Sequence, residues 1–238
     1  MDYNPLKVFL NQRLRNFDSG HDLKHCIDVM NMAKDIFSDF PDLEDYQRTS
    51  IELACLLHEV NDSKFIQKNR QIKISNILFT LYPYIDDRIP QLVEEIVEAV
   101  SCSSNGDSEM FPPWKAIVRY VDRYFAIGKI GIERAIIYAE SKNRPMASVE
   151  TPRSYTRKDV EDNTKIELWE KYISGKSTSN TTIDHFYEKV LHITLPKWFN
   201  SPTLQKYYEN SHNEVADFIV TYFQMERNYL ESKPILFN

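Results

Sequence analysis

Residues 53–65 read Leu-Ala-Cys-Leu-Leu-His-Glu-Val-Asn-Asp-Ser-Lys-Phe, an apolar run that closes on a histidine and an acid and then turns polar. His58 follows Cys55, Ala54 and Ile51 by three, four and seven residues, the spacing that puts side chains on one face of a helix. A helix is therefore predicted over Tyr46–Val60, ending at Asn61-Asp62-Ser63, with His58 turned inward and Glu59 beside it. A carboxylate carried into low-dielectric ground needs a partner, because an unpaired buried ion costs several kcal/mol or gives up its charge.

The same period recurs on both sides of this stretch. Upstream, Ser19 and Asp22 form a capping-box-like start near residue 20 for a helix carrying Cys26, Val29, Met30, Ala33, Ile36 and Phe37, and Phe40-Pro41 stops it. Downstream, a weaker pattern covers 70–80. Pro90 suits the first turn of a helix with Leu92, Val93, Ile96, Val97 and Val100, and Ser101–Gly106 reads as a loop. Pro112-Pro113 precedes a helix with Ile117, Val118, Val121 and Phe125. Gly128 and Gly131 then allow a tight bend or close packing before Ile132–Ala139. Arg144–Gly175 is polar, with a short helix expected at 157–173, and the stretch near 147–180 reads as an insertion or lid. Helices near 181–193 and 203–230 complete an all-α chain read as one domain over 1–238, with its core at about 15–230.

Two further polar groups lean inward with His58 and Glu59. Asp122 lies four residues after Val118 and three before Phe125, and His25 lies four before Val29. The partners open to these carboxylates are the histidines themselves, an arginine, or a metal. Two imidazoles and two carboxylates from three helices make a mixed nitrogen and oxygen set, suited to manganese, iron, cobalt, nickel or zinc more than to calcium. Periodicity alone favours satisfied core and cap residues over a site, since four dispersed residues are weak evidence.

Composition narrows the classes. The 238 residues carry a net charge of −6, so no global positive field draws duplex nucleic acid or an anionic membrane. No apolar run approaches the ~20 residues of a membrane span, and the N-terminus carries no signal-peptide pattern, which predicts a cytoplasmic protein. Only 5 glycines favour long helices over turn-rich β architecture. Cys26, Cys55 and Cys102 are far apart and odd in number, so they read as buried small hydrophobes. Oligomeric state is not legible.

Five strings together resemble the successive signatures of the small stand-alone HD-domain phosphohydrolases. They are His21-Asp22-Leu23-Lys24-His25, the stretch 53–65, Val121-Asp122-Arg123-Tyr124-Phe125-Ala126-Ile127-Gly128-Lys129-Ile130-Gly131-Ile132, Asn143-Arg144-Pro145-Met146, and His185-Phe186-Tyr187-Glu188-Lys189. The resemblance implies an HD-domain helical bundle and one divalent metal, manganese by preference, with iron, cobalt, nickel, zinc or magnesium as alternatives. Its ligands fall on His25, His58, Glu59 and Asp122, and the His21-Asp22 dipeptide is a decoy for the eponymous pair. Asp62 and Lys64 fall near the water and the phosphate, and His21, Arg144 and Lys189 on phosphate contacts. The implied substrate is a small phosphorylated molecule, a nucleoside triphosphate cleaved to monophosphate and pyrophosphate.

The chain departs from the pattern in places. Glu59 stands where the family has aspartate, Tyr120 and Phe125 where it has further aspartates, and Ser101–Ser104 lacks a histidine that many relatives carry, so a second metal is not expected. These departures motivate the alternative of a degenerate HD fold that binds a nucleotide or a partner without turnover. His58-Glu59-Val60-Asn61-Asp62 also approaches the His-Glu-x-x-His pattern of zinc peptidases, but position 62 is not histidine.

Overall fold

A computed structural model describes residues 1–17, 20–62, 65–101, 108–177 and 179–232, and among them every regular element is helical. The chain divides into two compact units. The first takes Met1–Arg123 and Leu195–Gln205, and the second takes Tyr124–Thr194 and the chain from Lys206 onward.

The first unit is built on α1 (Asn4–Arg13), α2 (Leu23–Asp35), α3 (Asp45–Leu57), α4 (Ile74–Leu81), α5 (Arg88–Glu98) and α6 (Ile117–Tyr124). α3 is its centre, packed on α2 and α5, because its residues Leu53–Leu57 are all buried and it needs cover on more than one side. Cys26, Val29, Met30 and Ala33 of α2 and Val93 and Ile96 of α5 lie in the core as predicted, whereas Leu92 and Val97 are half-buried and Ile36 and Phe37 are buried beyond the end of α2. Arg119, fully buried on α6, donates Nε to the Ala99 carbonyl at 2.7 Å and Nη1 to the Ser108 carbonyl at 2.7 Å, pinning α6 to the end of α5. Tyr120 is a core side chain set edge-to-face with Trp198 and tilted against Phe199, with ring centroids 5.8 and 4.7 Å away.

Several boundaries differ from the expectation for local reasons. α2 starts at Leu23 because Asp22 is its N-cap, accepting from the His25 backbone N–H at 2.9 Å. Ser19, the expected cap, lies outside the described residues, as do Lys64, Cys102 and most of the Ser101–Gly106 loop. α3 stops at Leu57, one turn short of Val60, and His58 is its C-cap. In place of one helix over 157–173, Thr156 caps α8 (Arg157–Asn163), and a break at Thr164 and Lys165 precedes α9 (Ile166–Ile173).

The second unit holds α7 (Gly128–Ser141), α8, α9, α10 (Thr182–Glu188) and most of α11 (Pro202–Ser232). The stretch near 147–180 is tied into it: Ser154 and Tyr187 hydroxyls meet at 2.7 Å, and Arg153 pairs with Glu226 at 3.1 Å. Gly128 starts α7 at φ +64°, where a Cβ would stand 2.6 Å from Ser211 Oγ, so both the bend and the close packing expected there are present. No helix among the described residues is long and apolar enough to cross a membrane.

Candidate metal centre

His25 is the third residue of α2, and its backbone N–H is already taken by the Asp22 cap, which sets the start of the helix and the direction of the imidazole. His58 closes α3, and Glu59 follows in the turn. Asn61 locks that turn from below: its side chain donates to the Ile72 carbonyl at 2.7 Å and accepts from the Ile72 N–H at 2.9 Å. Asp122 is contributed by α6, which Arg119 holds in place one turn earlier.

These four residues converge. His25 Nε2 lies 3.1 Å from Asp122 Oδ1 and 3.3 Å from His58 Nε2. His58 Nε2 is 3.4 Å from Glu59 Oε1 and 3.6 Å from Asp122 Oδ1, and His25 Nε2 is 3.9 Å from Glu59 Oε1. Side-chain exposure is 5% for His25, 2% for His58 and 8% for Glu59, against 26% for Asp122, so the set opens to solvent on the Asp122 side.

The donor set fits a divalent cation. Ligands at bonds of about 2.1 Å stand about 3.4 Å apart in a tetrahedron and about 3.0 Å apart at adjacent octahedral corners, which brackets most of these separations. The tautomer also fits: His58 Nδ1 lies 2.7 Å from the Cys55 carbonyl oxygen, which can only accept, so Nδ1 carries the proton and the neutral ring presents the Nε2 lone pair to the cluster. Cys26, buried close by, is no competing thiolate, because burial pushes its thiol up to about 12.

The cation-free cluster is electrostatically polarised. Burial alone would lower the His58 pKa, but hydrogen bonding to Asp122 and Glu59 overrides it and holds the imidazole well above its ordinary value. Burial would likewise raise the Asp122 pKa, and the facing His25 and His58 hold it well below the usual carboxylate range instead. A site that already favours positive charge in its middle is one that a cation can occupy in place of the proton.

The remaining expected site residues fall into two groups. His21 and Asp62 are half-buried in the first unit, with His21 Nε2 4.0 Å from Asp62 Oδ2 and the His21 ring 5.1 Å from that of Phe65. In the second unit, Arg144 donates to the Ser179 carbonyl at 3.1 Å, and Lys189 Nζ lies 5.2 Å over the Tyr172 ring. The same basic pair acts on buried His185, whose pKa is lowered to about 4 by burial first and then by Lys189 and Arg144. The sequence reading gave His185 and Tyr172 no role. His185 was detectable by its spacing of four from Lys189, whereas Tyr172 arrives only through the packing of α9 on α10.

Among the described residues every regular element is helical, and the chain has the fold of solved HD-superfamily structures. It is similar to an HD-superfamily hydrolase from Bacillus thuringiensis, at 23% identity over 95% of each chain with a TM-score of 0.62. It is also similar to YpgQ of Bacillus subtilis in complex with ADP, at 20% identity over 95% of this chain and 97% of that one, with a TM-score of 0.64. No protein-family model matches the chain. The chain belongs to the same family as the uncharacterized protein L803 of Acanthamoeba polyphaga mimivirus, being 30% identical to it over 217 residues, 86% of this chain and 88% of that protein.

Proposed function

We propose that this chain is a divalent-metal-dependent phosphohydrolase that acts on nucleotides, cleaving a nucleoside or deoxynucleoside triphosphate to monophosphate and pyrophosphate. The observation that carries the reading is the convergence of His25, His58, Glu59 and Asp122, with His58 fixed in the tautomer that leaves Nε2 free to bind. A nucleotide ligand is supported by the ADP held by the Bacillus subtilis protein of the same fold. Glu59 is no obstacle, since its carboxylate reaches 3.4 Å from His58 Nε2 despite the longer side chain.

His25, His58, Glu59 and Asp122 would hold one divalent cation, manganese by preference, which would supply Lewis acidity for the attack of water on a phosphoryl group. Asp62, at the mouth of the turn after Glu59, takes the proton of the attacking water. The water oxygen bonds to the α-phosphorus, the bridging P–O bond breaks, and pyrophosphate leaves with the electron pair. Lys64, Arg144 and Lys189 are assigned to phosphate contact on their charge and His21 on its place beside Asp62, in a single HD-type domain at work in the cytoplasm.

Chromatography of products from a nucleotide panel with manganese tests the reading. Pyrophosphate with monophosphate is the expected pair. Orthophosphate released from monophosphates would replace the assignment by a nucleotidase, and nucleotide binding without turnover by a degenerate binding module.

A further inference from the structure

The four-residue set does not exhaust the ligand atoms at this place. Ligand atoms of His21, Glu59 and Asp62 also lie within 4.8 Å of one another, and Glu59 belongs to both groups. We propose that His21, Glu59 and Asp62 form a second site for a hard divalent cation, manganese or magnesium, with the Glu59 carboxylate shared between the two ions, the second Asp62 oxygen left to take the proton of the attacking water, and His21 reaching phosphate through the ion. The proposal rests on the reading of the four-residue set as a metal centre.

Geometry and rigidity support it. The 4.0 Å between His21 Nε2 and Asp62 Oδ2 is close to the ~4.2 Å that separates opposite corners of an octahedron with 2.1 Å bonds. Both residues sit on pinned backbone. His21 directly precedes the Asp22 cap of α2, and Asp62 donates its N–H to the Glu59 carbonyl at 3.1 Å while its own carbonyl accepts from Ile66 N–H at 2.8 Å. Two carboxylates and one imidazole are an oxygen-rich set, which favours a hard ion.

The same geometry gives Glu59 a physical role. Glutamate is longer than aspartate by one C–C bond, about 1.5 Å, and a longer arm lets one carboxylate serve two groups that arrive from α2, α6 and the turn after α3. The donors of the second site are not the positions around Asp122 whose substitution argued against a second ion, so Tyr120 and Phe125 do not bear on it.

Charge sets the order of binding. With one dication, Glu59 and Asp122 leave the first site neutral. A second dication adds two positive charges against the single further carboxylate of Asp62. The second ion is therefore the weaker, and an anionic phosphoryl ligand, which balances the surplus, tightens it.

Manganese titration of the full-length protein, read by calorimetry and electron paramagnetic resonance, tests the proposal without relying on turnover. Wild type should bind two ions per chain, the second at least tenfold more weakly, and show an exchange-coupled spectrum at two equivalents. His21→Gln and Asp62→Asn, each checked for an unchanged melting temperature, should bind one ion with the first affinity kept within about threefold. Pyrophosphate should tighten the second ion in wild type and leave the variants at one. One ion in wild type that His58→Gln removes would leave the metal centre standing and overturn the second site. No ion at all would overturn both. Two ions retained in both variants would place the second ion elsewhere and overturn this assignment.

Discussion

The Nδ1–H of His58 donates to the carbonyl oxygen of Cys55, three residues back, at 2.7 Å. That bond fixes the ring plane and keeps the proton on Nδ1, so the lone pair on Nε2 points at His25, Glu59 and Asp122. In the proposed metal centre a helix end would serve as the ligand, its ring set by one of the last carbonyls that the helix itself cannot satisfy.

The first prediction follows from that bond. His58→Gln should abolish stoichiometric metal in purified protein, because its amide presents a weaker donor and lacks the bond to the Cys55 carbonyl. Elemental analysis reads the loss directly, and retention of one ion per chain would show that His58 is not a ligand. The chelated wild type should also melt at a lower temperature than the loaded protein.

A second prediction concerns pH. In cation-free protein the His58 pKa stands above 6.5 and that of Asp122 below 3.8. The raised imidazole contributes stability that is whole below pH 6.5 and is lost as pH climbs through its folded value. The depressed carboxylate contributes stability that is whole above pH 3.8 and is lost as pH falls through its folded value. A cation requires neutral His58, so binding should release roughly one proton, and affinity should rise about tenfold per pH unit until the raised pKa is passed. Calorimetry in buffers of different ionisation enthalpy counts the proton, and an affinity that is flat from pH 6.5 upward would show that His58 is already neutral.

The basic group of the second unit makes a third. His185 is held neutral, its pKa lowered to about 4 by burial and then by Lys189 and Arg144. Its folded pKa lies below the unfolded one, so its contribution is whole above pH 6.5 and is lost as pH falls towards 4. Lys189→Met should raise the His185 pKa, measured by NMR titration, while Lys158→Met, whose charge is spent on Asp162 at the surface, should not.

Glycine substitutions give a fourth. Gly128 and Gly175 both have positive φ, +64° and +70°, but a Cβ on Gly128 would stand 2.6 Å from Ser211 Oγ and 2.8 Å from Glu214 Oε2, while one on Gly175 meets nothing within 4 Å. Gly175→Ala should cost only the backbone strain, about 1 kcal/mol. Gly128→Ala adds a steric clash and should cost on the order of 2 kcal/mol or more in chemical denaturation. Equal losses would show that the Ser211 and Glu214 side chains move aside freely.

The features legible in the order of residues were local ones. Apolar spacing located α2, α3, α5, α6 and α7, because a buried helical face repeats within a few residues and needs no knowledge of its partner. It also placed His25, His58 and Asp122 on inward faces for the same reason. Helix ends were less legible: Asp22 and Thr156 became caps through contacts three residues on, while the early stop of α3 at Leu57 is stabilised by Asn61 reaching Ile72, eleven residues on. Tertiary structure alone decided that His25 and Asp122, 97 residues apart, meet at 3.1 Å, and that the one carboxylate of Glu59 lies within reach of two ligand groups. Helical periodicity gives direction about one axis and says nothing of where another axis lies. Distances between ligands are set by how buried side chains on α2, α3 and α6 fill the space between those helices, and that packing is a property of the whole unit.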